Sequence, residues 1–257
     1  MQFLKYGFGI LLLGGLLFWY CKKPTVVDQT VLNVGTNVEY QPFSFLDKND
    51  EIVGLDIDIA KEVCKRLGKE CVFHTMSFDA LIPEIQLGTI HMIAAGMSPT
   101  TERAKRVFFT KPHLQGNPLV VVALAPLISQ MSDDFTENRL NDYRIAVNQG
   151  YVSDNFVTQK EYPQIVRLAG NGVSEGLLAL QSGQADVYIV AQDAIKPFFD
   201  QDTTQKFAMI PLAGTQESTA LAVSKKYPEL YEKVETVLQT MHTDGTIAEL
   251  IKKWNVG

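Results

Sequence analysis

The chain has 257 residues, of which 46% are hydrophobic and 20% are charged, and its formal net charge at pH 7 is -6. This composition is typical of a soluble globular protein with one large domain or two small ones, and it excludes the disordered and coiled-coil classes. Lys and Arg form no block beyond residue 23. We therefore expect no nucleic-acid partner, because neutralising phosphates requires a clustered basic face.

The first 29 residues differ in character from the rest. Lys5 precedes an uncharged apolar run at residues 6–20, which is typical of an export signal or a membrane anchor. Cys21 resembles the lipid-attachment cysteine of bacterial lipoproteins, although residues 18–20 are bulky where such signals carry small residues. Lipidation at Cys21, an uncleaved anchor and cleavage elsewhere stay open. We expect a membrane-tethered body in the periplasm or on the extracytoplasmic face.

The two remaining cysteines are Cys64 and Cys71, in the segment EVCKRLGKEC. An even pair in an exported chain is typical of a disulfide. The same spacing also suits two unpaired, buried thiols, one at a helix end and one in the strand that follows. The residues alone leave both interpretations open.

From residue 30 onwards, short β-branched runs alternate with amphipathic stretches, which indicates an α/β fold. Apolar residues at every fourth position from Leu55 predict a helix that ends at Gly68. A second helix is predicted from a cap at Asp79 to Leu87, with Pro83 making it bend or start late. The other predicted elements are strands at residues 31–36, 71–75 and 92–95, a hairpin of residues 43–46 and 52–53, and two helices within residues 230–254.

The pattern also indicates two similar halves. Residues 81–95 and 177–191 both give a helix end, a Gly and then a buried strand. Extended runs at residues 117–123 and 219–224 are predicted to be paired crossover strands between two lobes. We predict a signal or anchor with its tether at residues 1–29, lobe one at residues 30–119 plus 220–257, and lobe two at residues 120–219.

Five motifs stand in the same order as in a known family. Over about residues 31–254 the sequence resembles the polar amino-acid family of periplasmic binding proteins. The motifs are VGTNVEYQPFSF, VGLDIDIAKEVCKRLG, FDALIPEIQLG, AAGMSPTTERAKRVFFT and VNQGYVSDNF. The resemblance implies the α/β, two-lobed fold of type II periplasmic binding proteins, with the two crossover strands as a hinge. It also implies a Cys64–Cys71 disulfide, because the histidine-binding member has one at the same spacing.

A bound amino acid needs a cation for its carboxylate. Arg103 stands at the TxxR position of the family, and a guanidinium can hold a carboxylate through two parallel hydrogen bonds. Gly96, Met97 and Ser98 form the turn before it. Gly96 and Ser98 precede a predicted helix start at residues 100–102, so we expect their N–H groups to face an anion near the positive end of that helix.

The ligand side chain needs a shaped pocket. Tyr40 and Phe78 match the two aromatic walls of the family, which sandwich that side chain. Asn37 stands where relatives have an acid, and its amide suits a neutral or a basic ligand. From lobe two, Asn148 and Val152 are implied to close on the ligand, Val152 through its backbone N–H.

Lobe two departs from the family at two positions. Tyr151 is unusual at its place, and we expect it at the rim of the pocket. Relatives carry Asp or Glu at the position of Ala191, and that carboxylate pairs with the ligand's ammonium group. An unpaired buried ammonium group would cost several kcal/mol, so something must compensate. Either Asp193 or Gln192 takes over through a local shift, or the ligand is held differently.

No motif for metal, nucleotide or covalent chemistry accompanies this site. The four histidines have no metal-ligand spacing, and no Walker A or dinucleotide fingerprint occurs. We expect no catalytic residue, no metal and no cofactor. The resemblance implies a monomer that captures a free polar amino acid, arginine first, and hands it to an ABC transporter permease. An amino-acid sensor domain and a cyclic-acid dehydratase, which use the same fold, remain alternatives.

Overall fold

The computed structural model describes residues 30–170 and 172–257. Two five-stranded mixed sheets form the framework of this part of the chain. The apolar run and Cys21 lie outside these residues. The strands are β1 (Val31–Thr36), β2 (Glu39–Tyr40), β3 (Ser44–Leu46), β4 (Ile52–Val53), β5 (Glu70–Thr75), β6 (Met92–Ile93), β7 (Val107–Phe109), β8 (Leu114–Asn117), β9 (Leu119–Leu124), β10 (Ile145–Asn148), β11 (Ile165–Leu168), β12 (Val187–Ala191), β13 (Phe207–Pro211), β14 (Glu217–Thr219) and β15 (Ala222–Ser224).

The helices connect these strands and cover the sheets. They are α1 (Leu55–Arg66), α2 (Phe78–Leu87), α3 (Thr101–Ala104), α4 (Ala125–Met131), α5 (Val152–Gln159), α6 (Val173–Gln181), α7 (Gln192–Gln201), α8 (Pro228–Thr243) and α9 (Thr246–Lys253), with 3-10 turns at Ser132–Asp134 and Glu137–Asp142. Within the described ranges, no helix has both the length and the apolar character needed to cross a membrane.

The two sheets share one design. The first sheet has the order β5-β1-β6-β15-β7, and the second has the order β11-β10-β12-β9-β13. In each, the first three strands are parallel and the fourth is antiparallel to both its neighbours. The shared order matches the two similar halves expected from the sequence. Together the sheets give the two-lobed α/β fold of type II periplasmic binding proteins.

The first sheet is buried on both faces. Leu32 and Val34 of β1 pack in one cluster with Val63 of α1, while Ile93 of β6 packs in another with Leu81 of α2. Helices on both faces are the usual cover of a parallel sheet. The central strand β6 is accordingly buried at both of its positions, whereas the edge strand β5 has three exposed residues.

The crossover connections lie beside one another. β8 and β14 pair antiparallel, with Leu114 opposite Thr219 and Asn117 opposite Glu217. The predicted bounds of these crossover strands were wrong. β9 belongs to the second sheet and β15 to the first, because each fills the fourth position of its sheet. Pro118, which has no N–H to donate, separates β8 from β9 within what had read as one extended run.

Local predictions in the first sheet are mostly confirmed. α1 ends at Arg66, and Gly68 follows with φ +64°, as a helix terminus requires. A disulfide joins Cys64 of α1 to Cys71 of β5. The predicted cap and late start of α2 were wrong, because the helix begins at Phe78 with Ser77 at its N-cap and continues through Pro83. β6 is shorter than predicted.

Candidate functional site

A small cavity lies where the two sheets and the crossover strand β14 meet. Its volume is about 10 Å³, which is roughly the space that one water molecule needs, so its own side chains nearly fill it, and we call this arrangement the closed conformation. The lining residues come from three sources. These are Tyr40, Phe78, Gly96, Ser98 and Arg103 from the side of the first sheet, Asn148, Tyr151, Val152, Ser153, Val190 and Ala191 from the side of the second, and Glu217 from β14.

Eight of the ten ligand-binding residues predicted from the sequence line this cavity, and two do not. Asn37 is buried, and its Oδ1 accepts a hydrogen bond from the N–H of Glu39 at 2.9 Å. Met97 is fully buried in the hydrophobic cluster that contains Leu81 and Ile93. In this closed conformation, therefore, the Asn37 amide shapes the turn before β2 and Met97 belongs to the core.

Arg103 lies on α3 with its guanidinium in the cavity. Nη1 donates to the carbonyl of Ser98 at 2.8 Å, and Nη2 donates to the carbonyl of Gly150 at 2.9 Å on the opposite side. The guanidinium carbon also lies 5.1 Å from the ring centroid of Phe78. Burial lowers the pKa of Arg103 from its ordinary value, and the nearby Glu217 acts in the opposite direction. A guanidinium stays charged in such a place because its ordinary pKa is so high.

Gly96 allows the ring of Tyr40 to pack closely against the backbone. Its φ is +63°, and a Cβ at this position would lie 2.6 Å from ring carbons of Tyr40. Its N–H donates to Oδ2 of Asp56 at 2.7 Å, and the other oxygen of Asp56 lies 2.9 Å from Nε2 of the buried His113. The expectation that the Gly96 N–H faces a bound anion is corrected here, because a protein carboxylate already accepts from it. The helix that follows, α3, is one turn long.

Tyr151 packs against both aromatic walls. Its ring centroid lies 4.6 Å from that of Phe78 and 5.4 Å from that of Tyr40, the latter in an edge-to-face arrangement. Tyr151 was expected at the rim of the pocket. Instead, a ring from the side of the second sheet occupies the place where the resemblance puts a ligand side chain.

The side of the second sheet contributes backbone and loop contacts. Nδ2 of Asn148 donates to the carbonyls of Gly170 and Gly172 at 2.9 and 3.2 Å, and its Oδ1 accepts from the Tyr188 hydroxyl at 2.6 Å. The Asn148 amide thus holds a neighbouring loop. Val152 begins α5, so its N–H belongs to the first turn of that helix, where backbone donors lack partners within the helix.

Ala191 ends β12 and lines the cavity with a side chain that can accept no hydrogen bond. Asp193, two residues on, does not line the cavity. It is 5% exposed, its Oδ1 lies 3.4 Å from the N–H of Gly257, and its Oδ2 has no partner. The backbone N–H of Asp193 donates to Oδ1 of Asn117. The local shift towards Asp193 considered from the sequence is thus not seen in this conformation.

Glu217 is the acid that lines the cavity, and sequence reasoning missed it. It is the first residue of β14, where the register of the β8–β14 pair shifts between Glu217 and Ser218. Irregularities of this kind re-aim a side chain. Ser98 Oγ donates to Glu217 Oε2 at 3.1 Å. Burial raises the pKa of Glu217 to about 7, although the bond from Ser98 and the charge of Arg103 act to lower it. One sequence signal was available, since Glu217 stands two residues before the predicted crossover strand at residues 219–224.

The comparisons with known proteins agree with this geometry. Residues 32–257 match the family of bacterial extracellular solute-binding proteins, family 3. A putative ABC transporter arginine-binding protein of Escherichia coli is 27% identical, over 87% of this chain and 90% of that protein. Among solved structures, an ancestral arginine-binding protein bound to arginine is 29% identical with a TM-score of 0.78, covering 88% of this chain and 98% of that one.

A third relative connects the fold to an enzyme. The ancestral amino acid-binding protein that is a precursor of cyclohexadienyl dehydratase is 30% identical, with a TM-score of 0.76, over 88% of this chain and 95% of that one. The family match spans both sheets, the crossover strands and every residue that lines the cavity. The chain belongs to the bacterial extracellular solute-binding proteins of family 3.

Proposed function

We propose that the protein captures a free polar amino acid between its two lobes and delivers it to an ABC transporter permease. The observation that carries this proposal is the position of Arg103, a buried guanidinium fork in a closed cavity beside Tyr40 and Phe78. A planar cation next to aromatic faces suits a ligand that has a carboxylate at one end and an extended side chain at the other.

Arginine is the first ligand to test. The arginine-binding relatives support it, and so do the aromatic rings, whose faces attract a guanidinium. Because Asn37 does not line the closed cavity, the choice of arginine rests on the rings and the relatives rather than on that amide.

Ligand capture requires an open state, because the closed cavity has no room for an amino acid. The paired strands β8 and β14 are the natural hinge, with lobe one at residues 30–119 plus 220–257 and lobe two at residues 120–219. The way the strands divide between the two sheets supports these bounds. A ligand that contacts both lobes favours closure, and the permease then distinguishes loaded from empty protein.

The remaining parts of the proposal concern the cell. We place the body outside the cytoplasm, as the family name states, and we retain the membrane tether through lipidated Cys21 or an uncleaved anchor. The protein acts as a monomer and catalyses no reaction. Two measurements test lipidation directly. The protein made in cells treated with globomycin, which blocks lipoprotein signal cleavage, should be larger than the protein from untreated cells. Labelled fatty acid should be incorporated into the wild type and not into a Cys21→Ala variant.

The direct test is isothermal titration of the purified full-length protein in mild detergent with L-arginine, L-histidine, L-glutamine and the other amino acids. We expect micromolar or tighter binding of L-arginine. Binding of L-glutamate, L-aspartate or aliphatic amino acids alone would refute a basic ligand, and the absence of binding by any amino acid would refute the proposed function.

A dehydratase is the second candidate. Glu217 has a pKa of about 7 in a closed cleft, which suits a general acid, and one relative is a precursor of cyclohexadienyl dehydratase. Incubation with prephenate and arogenate, followed by detection of aromatic products, decides between the two. Turnover that disappears in Glu217→Gln would replace amino-acid capture as the main function.

A further inference from the structure

The closed cavity has an unusual distribution of charge. Its one guanidinium, Arg103, faces no carboxylate from β12, because Ala191 ends that strand. An α-amino acid carries its ammonium group on the same carbon as its carboxylate. The partner of that ammonium group must therefore lie close to Arg103, and it must come from another element.

Ser98 contacts both Arg103 and a candidate for this partner, Glu217. Its carbonyl accepts from Nη1 of Arg103 at 2.8 Å, while its hydroxyl donates to Oε2 of Glu217 at 3.1 Å. The cation and the carboxylate are therefore held on two sides of one residue, and both line the same cavity. That spacing suits a carboxylate and an ammonium group that share one carbon atom.

The competing acid is oriented elsewhere. Asp193 does not line the cavity, and its Oδ1 is directed at the N–H of Gly257. Glu217, in contrast, is aimed into the cavity by the register shift at the start of β14. A buried ammonium group is stable only beside a counter-charge, and of the acids that line this cavity Glu217 is the one available.

We propose that Glu217, on the crossover strand β14, accepts the ammonium group of a bound α-amino acid and so takes the place of the acid missing at Ala191. This inference rests on the proposed function. The α-amino group then determines which ligands bind, because Glu217 on the hinge strand selects for it. The ligand also contacts both lobes and the strand that connects them.

The test compares each amino acid with a partner that lacks only the α-amino group. Titration at pH 8 uses L-arginine against 5-guanidinopentanoate, L-histidine against imidazolepropionate, and L-glutamine against glutaramate, on the full-length protein. We expect the wild type to prefer the amino acid by about tenfold or more, because hydrogen bonds between charged groups are the strong ones. In Glu217→Gln that preference falls to within about threefold, and affinity for the deaminated compound is retained.

Two further variants keep the test decisive. Asp193→Asn is the matched control, and it should retain the full preference. Glu217→Asp keeps the charge on a shorter side chain, and it should show an intermediate preference even if Glu217→Gln folds poorly. Undiminished preference in Glu217→Gln, or its loss in Asp193→Asn, would overturn the inference while leaving amino-acid capture intact. If the wild type binds none of the amino acids, capture itself is refuted, and the inference with it.

Discussion

Arg103 donates from Nη2 to the backbone carbonyl of Gly150, 2.9 Å away across the cavity. This bond joins the two sides of the site. A ligand carboxylate that binds the guanidinium fork would compete with the Gly150 carbonyl, so binding exchanges a neutral acceptor for a charged one. The bond to the carbonyl is already charge-assisted by the guanidinium, but a carboxylate adds a full ion pair with two parallel hydrogen bonds, which favours the exchange.

Removing this guanidinium tests the carboxylate contact. Truncating one partner of a buried charged pair costs about 2–5 kcal/mol, so Arg103→Ala should weaken L-arginine binding by at least about 30-fold in titration calorimetry. Arg106→Ala is the matched control, since that side chain is exposed and bonded to Gln86. Equal affinities of the two variants would contradict a role for Arg103 in binding.

The Tyr151 ring competes with the ligand side chain. Aromatic pairs contribute about 0.5–1.5 kcal/mol each, so removing the contacts to Tyr40 and Phe78 should destabilise the empty closed state. We expect Tyr151→Ala to bind L-arginine about threefold to tenfold more tightly. Its empty form should also have a larger radius of gyration by X-ray scattering. Tyr151→Phe keeps the ring and should resemble the wild type; tighter binding by that variant as well would count against this account.

The pKa of Glu217 gives binding a pH dependence. The pKa of the Glu217 carboxyl rises to about 7 on folding. Its protonated form therefore stabilises the folded protein at pH values below the ordinary pKa of Glu, and this contribution is lost as the pH rises through 7. A bound ammonium group favours the carboxylate, so L-arginine affinity should increase as the pH rises towards 7, and binding in that range should release protons. Calorimetry in buffers of different ionisation enthalpy measures this release, and Glu217→Gln should abolish it. The other groups facing Glu217 are Arg103 and Tyr40, whose pKa values both lie outside that window.

The Cys64–Cys71 disulfide should stabilise the first sheet. For so short a loop, chain entropy predicts about 2–3 kcal/mol. The Cys64→Ala, Cys71→Ala double variant should therefore melt several degrees below the wild type in calorimetry. Addition of reductant should lower the wild-type midpoint towards that of the variant, whose own midpoint should not respond. An unchanged wild-type midpoint under full reduction would contradict the prediction.

Gly96 should tolerate no side chain. Gly96→Ala combines a φ of +63° with a contact of 2.6 Å to the Tyr40 ring, so we expect a loss of about 2–3 kcal/mol in chemical denaturation. Gly183→Ala is the matched control, because its φ of +71° is similar and a Cβ there meets nothing within 4 Å. It should lose only about 1 kcal/mol. Equal losses would mean that the approach of Tyr40 to Gly96 has no energetic weight.

Sequence reasoning succeeded where the signal is local. The apolar spacing of α1 lies within one element, and the structure confirms that helix. The TxxR spacing is equally local, and it puts Arg103 on the one-turn helix α3. The position of Glu217 could not be read in this way. Its bond to Ser98 joins residues separated by 119 positions, and a register shift sets its direction. The packing of Tyr151 on Tyr40 and Phe78 could not be predicted from the sequence either, because it depends on how closely the two lobes approach each other.

The fourth strand of each sheet also has a consequence for the order of folding. The second sheet draws all its strands from one continuous stretch, residues 119–211, and can therefore form as soon as that stretch is available. The first sheet has β15 between β6 and β7, so it stays incomplete until residues 222–224 have arrived. Folding of the first sheet thus waits for nearly all of the chain, which delays formation of the cavity until both sheets are complete.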